Sequence, residues 1–307
     1  MKKTILILTL VLLLCGCAAP EAAGEGYTFN DDLGRTVTVS SCERTAPLLG
    51  SFAHIWHLAG GEVHASADDA WEDFDIPMPD TAVNLGKTKE PSLELLLAAQ
   101  PDFVIASVNT AQQLQWKETL EAAGITVAYF DVSDFDDYLR LLKICTDLTG
   151  REDLYQQNGV AVQAQIDAVL ETARQRTEEQ GAPTVLSCRA SASYIRAKNS
   201  RGNVMGQMLK ALGCVNIADS EESLLENLSV EAIVKADPDF IFFVQTGDDP
   251  EGTEVYLRRF FEENPLWQQL TAVQEGRVYI MEKQLYNMKP NHRWGEAYEI
   301  LEAILAQ

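Results

Sequence analysis

From Tyr27 to Val39 (YTFNDDLGRTVTV) apolar and polar residues alternate, with a break at Asp31 to Gly34. A period of two on either side of a turn predicts a β-hairpin. Ala46 to Gly50 is a short apolar run that predicts a buried strand. His54 to Ala59 predicts a helix stopped by Gly60-Gly61. Leu114 to Ala123 has helical spacing and stops at Gly124, and Thr126 to Phe130 predicts the next strand. Strands alternating with helices predict a parallel sheet with helices on its faces. From Asp134 to Gln180 the strand signal vanishes. Asp134 to Thr149 places Tyr138, Leu141, Leu142, Cys145 and Leu148 on one helical face. After Gly150, Arg151 to Gln180 predicts one long helix, with Val162, Ile166, Val169, Leu170 and Ala173 at helical spacing and Gly159 as a local weakness. Thirty residues at about 1.5 Å each span about 45 Å. A lobe of ordinary size is roughly 30 Å across. The helix is therefore expected to run along two lobes; a helical hairpin packed on the first lobe alone is the alternative. Alternation then resumes. Strands are predicted at Thr184 to Cys188, Phe240 to Val244 and Arg277 to Met281. Helices are predicted at Met205 to Leu212, Leu257 to Leu270 with a break near Pro265, and Trp294 to Leu305.

One block occurs twice. SLELLLAAQPDFVIA begins at Ser92, and SVEAIVKADPDFIFF begins at Ser229. They align without a gap, so Glu94 matches Glu231 and Pro101-Asp102-Phe103 matches Pro238-Asp239-Phe240. Each predicts a capped helix, a Pro-Asp turn and a buried strand. The copies lie too far apart to be adjacent solenoid repeats, so they mark two lobes of similar build. A cleft between two lobes is a common place for a small ligand.

The first residues form a targeting signal. Met1-Lys2-Lys3 is basic, and Ile5 to Leu14 is apolar but too short to span a bilayer. Leu14-Cys15-Gly16-Cys17 resembles a bacterial lipobox, which implies cleavage after Gly16 and a lipid on Cys17. Residues 18–26 (AAPEAAGEG) have a tether's composition. The expected organisation is a signal peptide at 1–16, a lipidated Cys17 and tether at 17–26, an N-terminal α/β lobe at 27–133, a helical linker with the long helix at 134–180, and a C-terminal α/β lobe at 181–307. The chain carries 24 Lys and Arg against 46 Asp and Glu, a net charge of −22. That excess repels phosphate backbones and argues against a nucleic-acid partner. Cys42, Cys145, Cys188 and Cys214 fit no disulfide framework or zinc spacing. A Cys188–Cys214 bridge stays open.

The doubled block, the DDLGR opening, the long middle helix and LTAVQEGRVYIM ending at Met281 together resemble substrate-binding proteins of ABC importers for ferric siderophores, haem and cobalamin. The resemblance implies two Rossmann-like lobes joined by a rigid backbone helix, with a ligand in the cleft. It also implies a lipid-anchored monomer outside the cytoplasm that delivers its ligand to a permease dimer with its ATPase, without catalysis. Glu94 and Glu231 would then dock on permease arginines. Near a capped helix start they also favour the helix dipole, by about 0.3–1 kcal/mol, which alone would account for one of them.

In open parallel sheets ligands bind beyond the carboxyl ends of the strands. The loop predicted after Cys188, RASASYIRAKNSR, holds Arg189, Tyr194, Arg196, Lys198 and Arg201 and no acid. After Met281 come Lys283, Tyr286, Lys289, His292, Arg293 and Trp294. Two basic segments in so acidic a chain suit an anionic, oxygen-rich ligand, which Arg grips bidentately. The expected ligand is an iron–siderophore complex, with corrinoid or haem as alternatives and no resident cofactor. Ser51, His54, Trp71 and Asn109 are expected to contribute from the first lobe. His54 and His57 lie three apart with His64 nearby, but only His292 is available from the other half for a bare metal ion. Leu85-Gly86-Lys87-Thr88 imitates a phosphate loop, yet position 81 is Thr81 rather than Gly. No GxSxG elbow supports a hydrolase.

Overall fold

The computed structural model describes residues 26–226 and 228–307; Cys17 and the targeting segment lie outside them. The opening hairpin is β1 (Tyr27–Asn30) paired antiparallel with β2 (Thr36–Val39). Its turn is fixed by Asp31. The buried carboxylate accepts the N–H groups of Leu33, Arg35 and Tyr129 and the Arg35 guanidinium. The DDLGR segment thus clips the hairpin to the edge of the first sheet.

The first lobe contains β3 (Thr45–Pro47), β4 (Ala65–Ser66), β5 (Val83–Asn84), β6 (Phe103–Ser107) and β7 (Thr126–Phe130). β3, β6 and β7 form its parallel sheet, in the order β3-β6-β7. β4 and β5 form a separate parallel pair, and Val63 just before β4 makes an isolated bridge to Thr45. The second sheet contains β8 (Thr184–Ser191), β9 (Tyr194–Lys198), β10 (Val215–Asn216), β11 (Phe240–Gln245) and β12 (Val278–Met281). Its parallel order is β10-β8-β11-β12, with β9 antiparallel to β8. The segment expected to be a basic loop after Cys188 is therefore a hairpin. β8 continues through Ser191 and turns back at once.

The repeated block folds alike in both lobes. Ser92 and Ser229 cap helices Leu93–Ala99 and Val230–Ala236 by accepting the N–H of Leu95 and Ala232. Each helix ends on a left-handed residue other than glycine, Gln100 at φ 50° and Asp237 at φ 41°. The Asp of each Pro-Asp pair then ties down the neighbouring strand. Asp102 accepts the N–H of Arg44, and Asp239 accepts the N–H of Thr184. Alternation sorts the strands that follow. Phe103 and Ile105 enter a core shared by both lobes, while Val104 and Ala106 pack on the other face of the first sheet. Phe240, Phe242 and Val244 enter the same shared core, while Ile241 and Phe243 pack with Trp267.

Between the lobes, helix Phe135–Thr149 is capped by Asp134 and ends at Gly150. Helix Glu152–Tyr155 then passes through a π turn, Gln156–Val160, into helix Ala161–Gln180. The run is continuous, as its pattern predicts, and it touches both lobes. Near its start the Asn158 amide donates to the Leu58 carbonyl. Near its end Arg176 donates to Glu302 and to the Leu212 carbonyl. Gly159 has a packing role that the pattern does not reveal: a Cβ there would lie 2.8 Å from the Leu139 side chain. It lets the π turn lie against helix Phe135–Thr149. The last helix, Trp294–Leu305, packs along Ala161–Gln180. The four described cysteines are free thiols, and Cys188 and Cys214 belong to different core clusters.

The Arg176 and Glu302 side chains are only 6% and 8% exposed and meet through two hydrogen bonds at 2.8 and 3.0 Å. Removing one partner strands a buried charge, at a cost of about 3–5 kcal/mol. Glu302→Ala should lower the urea midpoint accordingly, and Arg176→Met with Glu302→Leu should recover much of that loss. Equal losses in the single and double variants would show that the two charges are not coupled.

Candidate functional site

The basic hairpin owes its geometry to register. Arg189 lies opposite Arg196, Ser187 opposite Lys198, and Ser191 opposite Tyr194. Side chains two apart on a strand share a face. Arg189, Tyr194, Arg196 and Lys198 therefore share one face, and Cys188, Ala190 and Ala197 pack into the core on the other. The Arg196 guanidinium stands over the Tyr194 ring at 5.2 Å, and the Tyr194 hydroxyl lies 3.1 Å from that of Thr246. Among the described residues Arg189, Arg196 and Lys198 form no ion pair with a carboxylate. Burial pulls the Lys198 pKa down, and the neighbouring charges of Arg189 and Arg196 pull it further. Burial also lowers that of Arg189. Three like charges on one face of the β8-β9 hairpin stand without counter-ions among the described residues, an arrangement an anion would relieve.

The second basic segment divides differently. Lys283 is held by Asp73 of the first lobe at 3.1 Å and by Asp248 at 2.9 Å. Arg293 is held by Glu296 at 2.7 Å. Tyr286 is buried, and its hydroxyl donates to the Ala297 carbonyl. Its expected place at the ligand is thus taken up by packing within its own lobe. His292 meets His54 edge to face, 5.3 Å between ring centres. Among the described residues Lys289 forms no ion pair with a carboxylate.

From the first lobe, Ser51 is buried at the start of helix Gly50–Leu58, and its carbonyl accepts the Asn291 amide. The same amide nitrogen lies 3.0 Å from His54 Nδ1. Trp71 is half-buried against the shared core. The exposed Asn109 donates to Asp131 at 2.8 Å. The sequence reading did not single out Asn291, which joins the lobes from a left-handed backbone at φ 56°. Its only signal is its place between Pro290 and a helix start. His64 turns away to the Ala99 carbonyl. Among the described residues no three His, Cys, Asp or Glu side chains are arranged to hold a metal ion.

A cavity of about 480 Å³ lies between the lobes. Glu72 and Asp73 line it from one side; Thr246, Asp248 and Lys283 line it from the other. Through Thr246 it adjoins the Tyr194 end of the cationic face. A larger hollow of about 670 Å³ sits by Arg44, Asp102 and Gly124. It lies at the amino ends of β6 and β7, the wrong end of a parallel sheet for a ligand. Glu94 and Glu231 are both exposed in the first turns of their equivalent helices. No helix of the described residues is long and apolar enough to cross a membrane.

Two α/β lobes joined by a continuous helix, with a cavity between them, have the build of a two-lobed binding protein. The profile of the periplasmic binding protein family matches residues 50–285, and the chain belongs to that family. It is 24% identical over 300 residues to the Fe(3+)-citrate-binding protein YfmC of Bacillus subtilis, covering 91% of this chain and 89% of that one. It is 26% identical over 299 residues to the iron-uptake system-binding protein of the same organism, covering 91% of each. The fold matches Staphylococcus aureus SirA complexed with staphyloferrin B, with a TM-score of 0.70 at 16% identity, over 91% of this chain and 98% of that one.

The contact of the two histidines carries a pH dependence. Burial pushes the His54 pKa down from 6.5 to about 4, helped by His292 and His57. Burial also lowers His292. A depressed folded pKa favours the neutral ring, so this stability is complete above pH 6.5 and is lost as the pH falls towards about 4. The loss is on the order of 2–3 kcal/mol. The Tm of the free protein should fall between about pH 7 and about pH 4, and less steeply in His54→Gln. Parallel curves for the two proteins would rule His54 out as the source.

Proposed function

We propose that this protein is the extracytoplasmic substrate-binding component of an ABC importer, and that it captures an anionic ferric complex with carboxylate arms. The observation that carries this reading is the face of Arg189, Arg196 and Lys198 on the β8-β9 hairpin, three cations without carboxylate partners among the described residues. A carboxylate-rich complex supplies the missing charge and takes bidentate hydrogen bonds from guanidinium groups. Citrate-bound iron, the ligand named for one relative, belongs to this chemical class. A neutral corrinoid would gain little from such a face.

In this reading the ligand enters between the lobes, and the continuous helix limits how far they move. The loaded protein then docks on the permease dimer through Glu94 and Glu231, one from each lobe. The protein acts as a monomer held to the membrane by a lipid on Cys17, without a resident cofactor.

Ferric citrate, a ferric catecholate, a ferric hydroxamate, cobalamin and haem should be compared by their effect on Tm. A ligand at a hundred times its Kd adds about 2.7 kcal/mol of stability. The largest shift is expected with ferric citrate, and Arg196→Gln should weaken its binding about tenfold or more. A shift with cobalamin or haem alone would overturn the ligand class. Glu94→Arg with Glu231→Arg should abolish uptake by cells while the purified protein binds ferric citrate as before; intact uptake would remove the docking role. Cys17→Ala should move the protein from the membrane fraction to the soluble fraction, and unchanged membrane association would remove the anchor.

A further inference from the structure

Lys283 and Gln284 open a short helix of the second lobe, and both reach the same residue of the first, Asp73. The Lys283 ammonium donates to both Asp73 carboxylate oxygens, at 3.1 and 3.2 Å, and the Gln284 amide donates to the Asp73 carbonyl at 2.7 Å. Lys283 also donates to Asp248 of its own lobe at 2.9 Å. Each end of this contact stands on a rigid support. Asp73 follows helix Asp69–Glu72, which is set against helix Gly50–Leu58: the Asp69 carboxylate accepts the Gly50 N–H, and a Cβ at Gly50 would lie 2.7 Å from the Ala70 nitrogen. On the other side Leu285 and Tyr286 are buried, and the Tyr286 hydroxyl donates to the Ala297 carbonyl of the last helix. The contact between these supports is looser. The Lys283 and Asp73 side chains are 21% and 23% exposed, against 6% and 8% for Arg176 and Glu302. An ion pair that water reaches is worth little and opens readily. The contact of Asn291 with Ser51, by contrast, is buried. Asp73 lines the interlobe cavity from one side, and Lys283, Gln284 and Asp248 line it from the other.

We propose that Lys283, Gln284 and Asp73 form a latch that holds the two lobes together across the cavity and opens to admit the ligand. The shared core and the Asn291 contact stay closed while the latch opens, so the rim of the cavity parts and the lobes do not swing as wholes. Asp248 lies on the same lobe as Lys283 and moves with it. It keeps the ammonium paired while the latch is open, and Asp73 is left to water, so opening strands no buried charge. The gating role rests on the interlobe site proposed above; the latch itself does not depend on the class of ligand.

The test is hydrogen–deuterium exchange of the purified protein, with Lys283→Met, Lys283→Arg, Asp73→Ala and Asp248→Ala beside the wild type. Lys283→Met and Asp73→Ala should each speed exchange about fivefold on both sides of the cavity, in residues 70–78 and 283–288, and leave the helix that carries Arg176 unchanged. Lys283→Arg should stay close to the wild type. Asp248→Ala should have a smaller effect, because it leaves the contact between the lobes in place. Raising the salt from about 0.1 M to about 1 M should speed exchange of the same segments in the wild type but not in Lys283→Met. Unchanged exchange in Lys283→Met would overturn the latch. So would faster exchange confined to the lobe that carries the substitution, or an effect of Asp248→Ala equal to that of Asp73→Ala, since either makes the contact local to one lobe. Stopped-flow mixing with ferric citrate reads the gate: association should be about fivefold faster in Lys283→Met. An unchanged association rate beside faster exchange would remove the gating role. No binding of ferric citrate by the wild type would count against the ligand class, while faster exchange on both sides of the cavity would still support the latch.

Discussion

Arg176 brings a charge into the interior, and Glu302 meets it there. The pair fastens the far end of the connecting helix to the last helix of the chain. A third contact, to the Leu212 carbonyl, fastens both to the second lobe. At the other end the Asn158 amide ties the helix to the first lobe, and the Gly159 close approach sets it against helix Phe135–Thr149. A buried ion pair between otherwise apolar surfaces tolerates little change in register, because a shift of one residue would leave two charges unpaired. The spacing of the lobes follows from this constraint, and so does the space between them.

The lobes also share one apolar core. Phe103 and Phe130 from the first sheet and Phe242 and Val244 from the second belong to a single cluster with Tyr138, Ile166, Trp294 and Leu301. A shared core resists large hinge motion, because opening it would expose apolar surface at roughly 25 cal/mol per Å². Among the described residues the polar contacts between the lobes are Asn291 with Ser51 and His54, Lys283 with Asp73, and Gln284 with the Asp73 carbonyl. A stiff connection beneath and separable contacts above favour small adjustments around a ligand over wide closure.

Against that background the cations fall into two groups. Lys283 and Arg293 have carboxylate partners and serve the fold. Arg189, Arg196, Lys198 and Lys289 have none among the described residues and crowd one another electrostatically. In a chain with an excess of acids, leaving three cations unpaired on one hairpin face is a departure from easy neutralisation. Departures of this kind concentrate at functional sites.

Much of this was legible in the sequence. The doubled Ser-x-Glu block gave both lobes, because a Ser cap, a Pro-Asp turn and an alternating strand are local chemistry that acts wherever it occurs. The helical spacing from Val162 to Ala173 showed a helix longer than a lobe, since periodicity depends on the helix alone. Two segments rich in cations were visible as composition. Which cations were free was not, because that depends on partners far away in the chain, such as Asp73 for Lys283. Tyr286 read as a ligand residue until packing turned its hydroxyl inward to Ala297. The RASASYIRAKNSR segment read as a loop until pairing with β8 put Arg189, Arg196 and Lys198 on one face. The sequence by itself determined the elements, the two-lobed plan and the presence of excess positive charge. Only the tertiary structure decided which charges are neutralised and which share a face without partners, because pairing is set by distances that only the folded chain defines.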